Sequence, residues 1–100
     1  MKKLKPIHPG EILREEFMVP FGLNPNKLAI ALLVAPPNIY EIVRKKRAIS
    51  GEMASRLGRY FRTTPEFWMN LQAHYELAVS RREAEEKIRC DVRPMTEISA

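Results

Sequence analysis

The stretch NPNKLAIALLVAPPNIYEIVRKKR, residues 24–47, sets two short helical patterns on either side of a three-residue break and closes on four consecutive cations. Asn24 followed by Pro25 is an N-cap and first-turn pair, because the asparagine oxygen accepts an orphan N–H and proline has none to lose. Leu28, Ala29 and Leu32 then fall at i, i+1 and i+4, one face of a helix. Pro36 and Pro37 cannot lie inside a helix but suit the opening of the next, whose apolar face is Ile39, Ile42 and Val43. Two short helices joined this tightly, the second running into a basic segment, form the arrangement of a helix-turn-helix, in which the second helix enters the major groove. That unit needs a small residue where the helices cross, an apolar residue in the turn and two apolar residues three apart in the second helix. Ala29, Val34, Ile39 and Ile42 supply them. An αα-hairpin without any nucleic-acid role is the alternative for these residues. Glycine usually fills the position just before Val34, and here it is Leu33. Either Leu33 takes a left-handed backbone at a cost, which is the favoured expectation, or the helix runs on through it and the turn starts later.

Outward from this segment the chain continues in helices, with almost no β-type alternation. Pro9 opens a first helix with Ile12, Leu13 and Phe17 on one face and Glu15 and Glu16 outside it; Pro20 and Gly22 end it. Ser50 caps a fourth helix with Met53, Ala54, Leu57 and Phe61 inward, and Thr64-Pro65-Glu66 opens a fifth. No breaker follows from Phe67 until Pro94, so the fifth helix is expected to extend far beyond the domain. Seven of the nine residues 81–89 are charged, with Glu83–Lys87 and Glu85–Arg89 at supportive i, i+4 spacing, which places that stretch in solvent. Leu77, Ala84 and Ile88 leave a thin apolar stripe for a partner, and residues 91–100 read as a frayed tail. The fold class expected is all-α: five helices with an extended C-terminal helix.

Composition narrows the function. One hundred residues make about one domain, and 45% hydrophobic with 29% charged residues is a globular balance. The longest apolar run, residues 28–35, is eight long against the roughly 20 of a membrane helix, and no apolar stretch follows the basic start, so a cytoplasmic protein without a membrane span is expected. A single cysteine, Cys90, and two distant histidines, His8 and His74, argue against a disulfide and a metal site. No nucleophile stands with a histidine and a carboxylate at a suggestive spacing, and Gly10, Gly22, Gly51 and Gly58 never cluster into a phosphate loop. Neither catalysis nor a cofactor is expected. Ser50 is a cap, His8 caps the first helix, and Phe67 and Trp68 belong to the core. The charge is more telling. Residues 1–50 hold nine Lys/Arg against four Glu and carry the whole net charge of +5, and Arg44-Lys45-Lys46-Arg47 concentrates it. A polyanion is the partner that such a field favours.

The strings HPGEILREEF (residues 8–17), NKLA (26–29), EIV (41–43), KRAI (46–49) and PEFWMNLQ (65–72) closely resemble the HigA-type antitoxins. These are helix-turn-helix proteins of the Xre class, also known as plasmid-maintenance or virulence-associated regulators. The resemblance runs without gaps over roughly residues 7–80. It implies a λ-repressor-like domain over residues 9–80, an N-terminal arm over 1–8, and a charged helical extension and tail over 81–100. It also implies an antidote that neutralises a RelE-like (HigB-like), ribosome-dependent mRNA endonuclease encoded beside it, and that represses their shared operon as a homodimer on a double-stranded operator.

In the family the main base readers fall where this chain has Pro36, Pro37 and Glu41. Prolines donate no hydrogen bond, and a glutamate repels phosphate while accepting from cytosine N4. Family members commonly have glutamine, a phosphate contact, at the position of Pro25. They often place Asn-Gly where Arg44-Lys45 stands, so two cations are gained at the end of the second helix. Base reading is therefore assigned to Asn38, Tyr40 and Arg44, and phosphate contact to Asn26, Lys27, Lys45, Lys46 and Arg47. The fourth and fifth helices are the expected dimer interface. A stand-alone repressor without a toxin, and a protein-interaction module that has lost DNA affinity, are the competing readings.

Overall fold

The computed structural model describes residues 5–96, and every described element is helical. Residues 1–4 of the expected arm and 97–100 of the expected tail lie outside the described residues. Helix α1 (Pro9–Ile12) starts where His8 Nδ1 accepts the Gly10 N–H at 2.9 Å, so the histidine is the cap. The helix then widens into a π-helical stretch (Leu13–Met18), with the Val19 N–H donating to the Arg14 carbonyl five residues back, and tightens into a 3-10 turn (Val19–Phe21) ending at Gly22. The wider turn sends Met18 into the core with Leu13, at a spacing of five, while Ile12 and Phe17 are only half-buried. An α-helical period cannot show that pairing.

Helix α2 (Pro25–Leu32) begins at Asn24, whose Oδ1 accepts from Lys27 N at 2.8 Å, and it buries Leu28, Ala29 and Leu32. Helix α3 (Pro36–Val43) buries Ile39 and Ile42. Helix α4 (Gly51–Phe61) is capped by Ser50 Oγ on the Met53 N–H at 3.2 Å, and Thr64 Oγ1 caps α5 (Pro65–Glu83) at 3.1 Å. Trp68, fully buried, is the largest core side chain; its Nε1 donates to Thr63 Oγ1 at 2.8 Å, and its ring lies 4.9 Å from that of Phe17. Buried Gln72 accepts the Ile49 N–H at 2.9 Å and so ties the segment after α3 to α5.

The long fifth helix is not continuous. It stops at Ala84 (φ −131°, ψ −2°), and a separate helix α6 (Glu85–Asp91) follows. The break has an electrostatic logic: it sets Arg81 and Arg82 at a helix C-terminus and Glu85 and Glu86 at an N-terminus, each facing the dipole end that favours it. The ion pairs expected across residues 83–89 are replaced by Lys87–Asp91 at 2.6 Å and Arg89–Glu86 at 2.5 Å. Among the described residues no helix is long and apolar enough to cross a membrane.

Among the described residues, four helical segments end in one motif, a left-handed residue flanked by hydrogen bonds back to the last turn. Leu33 (φ 58°) has Val34 N on Ala29 O at 3.0 Å and its own N on Ile30 O at 3.2 Å. Gly22 (φ 67°), Lys45 (φ 66°) and Arg62 (φ 62°) repeat it, so three of the four positions lack glycine. The turn between α2 and α3 therefore has the left-handed residue that the sequence suggested. Leu33 is 83% exposed, so its side chain contributes little packing. Leu33→Gly is expected to stabilise by about 1 kcal/mol and raise the melting temperature by about 4–8 °C. A fall in a thermal melt would refute the strain.

His8 supplies a second test. Burial, and then the charge of Lys45, push its pKa below the ordinary 6.5. The native state therefore binds fewer protons than the unfolded chain below that pH, so stability is full above about pH 6.5 and is lost as pH falls through the lowered pKa. Protonated Nδ1 would also face the Gly10 N–H donor to donor. Melting temperature should fall between pH 7 and pH 5 more steeply than in His8→Asn, whose amide oxygen can still cap; parallel profiles would show that His8 is not the group responsible.

Candidate nucleic-acid interface

At about 100° per residue, burial of Ile39 and Ile42 turns Pro37, Tyr40, Glu41 and Arg44 to the outward side of α3. Asn38 stands at the margin, half-buried, and lines a hollow of about 420 Å³ with Ile42, Arg47, Ser50 and Met53. Proline at the first two positions removes two of the N–H groups that open a helix, and the next, Asn38 N–H, donates to Ala35 O at 3.0 Å. The start of α3 thus offers little to an anion, unlike an ordinary helix N-terminus. Polar capacity lies in the later turns. The Arg44 guanidinium carbon sits 5.4 Å from the centre of the Tyr40 ring, one turn back, which orients both groups at the exposed end of the helix.

Beyond α3 the chain reverses at Lys45. Lys46 N–H returns to the Glu41 carbonyl at 2.8 Å, and Arg47 comes back onto the Glu41 side chain, Nε at 2.7 Å and Nη2 at 2.6 Å from Oε1. Lys45 Nζ lies 3.4 Å from Glu11 Oε1 at the head of α1. Both pairs are about half exposed, and exposed pairs of this kind contribute about 0–1 kcal/mol, so a phosphate can compete for the Lys45 cation at little cost. Lys46 is exposed and has no ion-pair partner among the described residues. Asn26 and Lys27 are exposed in the first turn of α2, at the end of that helix remote from the turn into α3.

The residues singled out in the sequence are thus brought together unevenly. Tyr40, Arg44, Lys45 and Lys46 cluster at the end of α3, Asn38 lies to one side, and Arg47 is paired with Glu41. Charge counting over the second half of the chain also missed Arg56 and Arg59, one turn apart on α4, and Arg62 at its C-terminal cap, which line a hollow of about 480 Å³ with Leu33 and Tyr60. Arg56 Nη1 donates to the Leu32 carbonyl at 2.8 Å, closing the end of α2 just before the turn. Their spacing of three was the available signal, diluted by acids elsewhere in that half.

No protein-family model matches the chain. Virulence-associated protein I of Dichelobacter nodosus is 48% identical over 77 residues, covering 77% of this chain and 71% of that protein. Among solved structures, the Pseudomonas aeruginosa antitoxin HigA, determined with the higBA promoter, is 49% identical with a TM-score of 0.87, covering 91% of this chain and 99% of that one. The antitoxin GraA in complex with its operator is 40% identical with a TM-score of 0.88, covering 97% and 98%.

If Lys45 and Lys46 hold phosphates, each releases about one counterion per contact. Neutralising either should reduce the slope of log affinity against log salt by about one unit per subunit and weaken every duplex alike. Arg44→Ala should instead relax discrimination at one base pair per half-site, a loss of about 1–3 kcal/mol, with less change in slope. An unchanged slope in the Lys45→Ala, Lys46→Ala double variant would remove the phosphate assignment.

Proposed function

The chain belongs to the HigA-type antitoxins, helix-turn-helix proteins of the Xre class, and from that membership we propose that it represses its own operon and neutralises a toxin encoded beside it. It is a binding protein, not an enzyme. The observation that carries the reading is near-complete coverage, at 49% identity, of an antitoxin whose structure was determined with promoter DNA, together with the outward polar end of α3. Duplex DNA is the partner of residues 9–80, with Tyr40, Arg44 and, at the margin, Asn38 toward the bases. Asn26, Lys27, Lys45 and Lys46 face the phosphates. The arm at 1–8 and the extension at 81–100 flank that domain, and the protein works in the cytoplasm.

A homodimer fits two-fold operators, since one short helix makes too few base contacts for specificity. Exposed Tyr60 on α4 and Phe67, Met69 and Leu77 on α5 supply apolar surface for the second copy. The toxin is a RelE-like mRNA endonuclease, following the family.

Co-expression with each gene adjacent to this one tests the pairing. A neighbour that arrests growth when induced alone should be tolerated when this chain is supplied, with recovery of growth and a stable complex on co-purification. Binding to its own upstream DNA with no toxic neighbour would leave a stand-alone repressor and end the antitoxin reading.

A further inference from the structure

We infer that Arg47 is not a phosphate contact but a positioning residue, which holds Glu41 so that the carboxylate reads a cytosine amino group in the major groove. The inference rests on the DNA-binding reading above and adds to it one base of the target and the pair of residues that selects it. Glu41 lies on the outward side of α3, where an unpaired carboxylate would repel the phosphates on either wall of the groove. Arg47 answers that problem locally. Its Nε donates to Glu41 Oε1 at 2.7 Å and its Nη2 stands 2.6 Å from the same oxygen, which balances the charge and anchors one oxygen of the carboxylate.

Only one oxygen is used. Among the described residues Oε2 has no partner, so the pair presents a neutralised but still accepting atom. A lone acceptor on the reading helix selects for a base-edge donor, and glutamate in the major groove pairs with cytosine N4. The neighbouring groups do not compete for it. Arg44 is drawn over the Tyr40 ring, and Pro36 and Pro37 carry no donor. The backbone holds the same residue from the other side, since the Glu41 carbonyl accepts the Lys46 N–H at 2.8 Å. The left-handed turn at Lys45 brings Arg47 back over the helix, so the reversal and the ion pair act as one clamp.

The test is selection of bound sites from a random duplex pool by the full-length protein, followed by competition binding across salt concentrations. Wild type should enrich a cytosine at one position of each half-site. Glu41→Gln should move the preference there to adenine, which a glutamine amide pairs with. Arg47→Ala should lower the cytosine preference at that position about tenfold and leave the other positions unchanged. Both side chains are about half exposed, so helical content and melting temperature should hold in each variant. If Arg47→Ala instead weakens all sequences alike and flattens the salt slope by about one unit per subunit, Arg47 grips phosphate and the inference falls. It falls too if wild type enriches sites without that cytosine. Failure of the wild type to hold any duplex would overturn the DNA-binding reading itself.

Discussion

The head of α1 lies directly on the end of α3, and the arrangement of the reading helix depends on that contact. A Cβ at Gly10 would stand 1.9 Å from the Ile42 carbonyl oxygen and 2.7 Å from its carbon, so only glycine lets the two backbones meet. Pro9 beside it is buried and supplies the first turn without a stranded N–H, and His8, buried against Tyr75 at 4.7 Å between ring centres, supplies the cap. The run His8-Pro9-Gly10 is thus a single device for docking one helix start onto another helix end. Glu11, one residue on, reaches Lys45 across the same junction. The direction of α3 and the position of the cations beyond it are therefore set by residues more than thirty positions upstream.

Strain gathers around the same helix. Leu33 before it and Lys45 after it are both left-handed without being glycine, at about 1–2 kcal/mol each. The chain closes each turn with paired backbone hydrogen bonds, and Arg56 adds a donor to the Leu32 carbonyl. At Lys45 the strain has a return that glycine could not give: a half-exposed cation just beyond the end of α3. No such return is visible at Leu33, whose exposed side chain carries no charge.

Much of the fold is legible in the sequence because it rests on local chemistry. Asn24, Ser50 and Thr64 cap the helices that their side chains announce, and Leu28, Ala29, Leu32, Ile39 and Ile42 are buried at the spacing a helix demands. Reading fails where spacing departs from that period. Met18 is buried because a π-helical turn carries it five residues past Leu13, and Ala84 interrupts a segment with no proline or glycine, where dipole and charge decide. The site follows the same rule. Arg44 over Tyr40 is an i, i+4 pair and follows from spacing, whereas Arg47 on Glu41 is six residues away and exists only because the chain reverses at Lys45.

These features together shift the work of α3 from its beginning to its end. The double proline fixes φ over the first turn and so stiffens the entry of the helix into a groove, but it removes the donors that a reading helix usually offers there. Apolar proline rings can still lie against a thymine methyl, a contact that rewards shape and carries no charge. Hydrogen bonding and charge are left to Tyr40, Glu41, Arg44 and the reversal behind them, within the turn that Gly10 and Ile42 hold in place. If such a helix is to discriminate through so few groups, it depends on the rigidity of its mounting: each polar atom must be held before DNA arrives, because no surplus of donors exists to compensate for one that is misplaced.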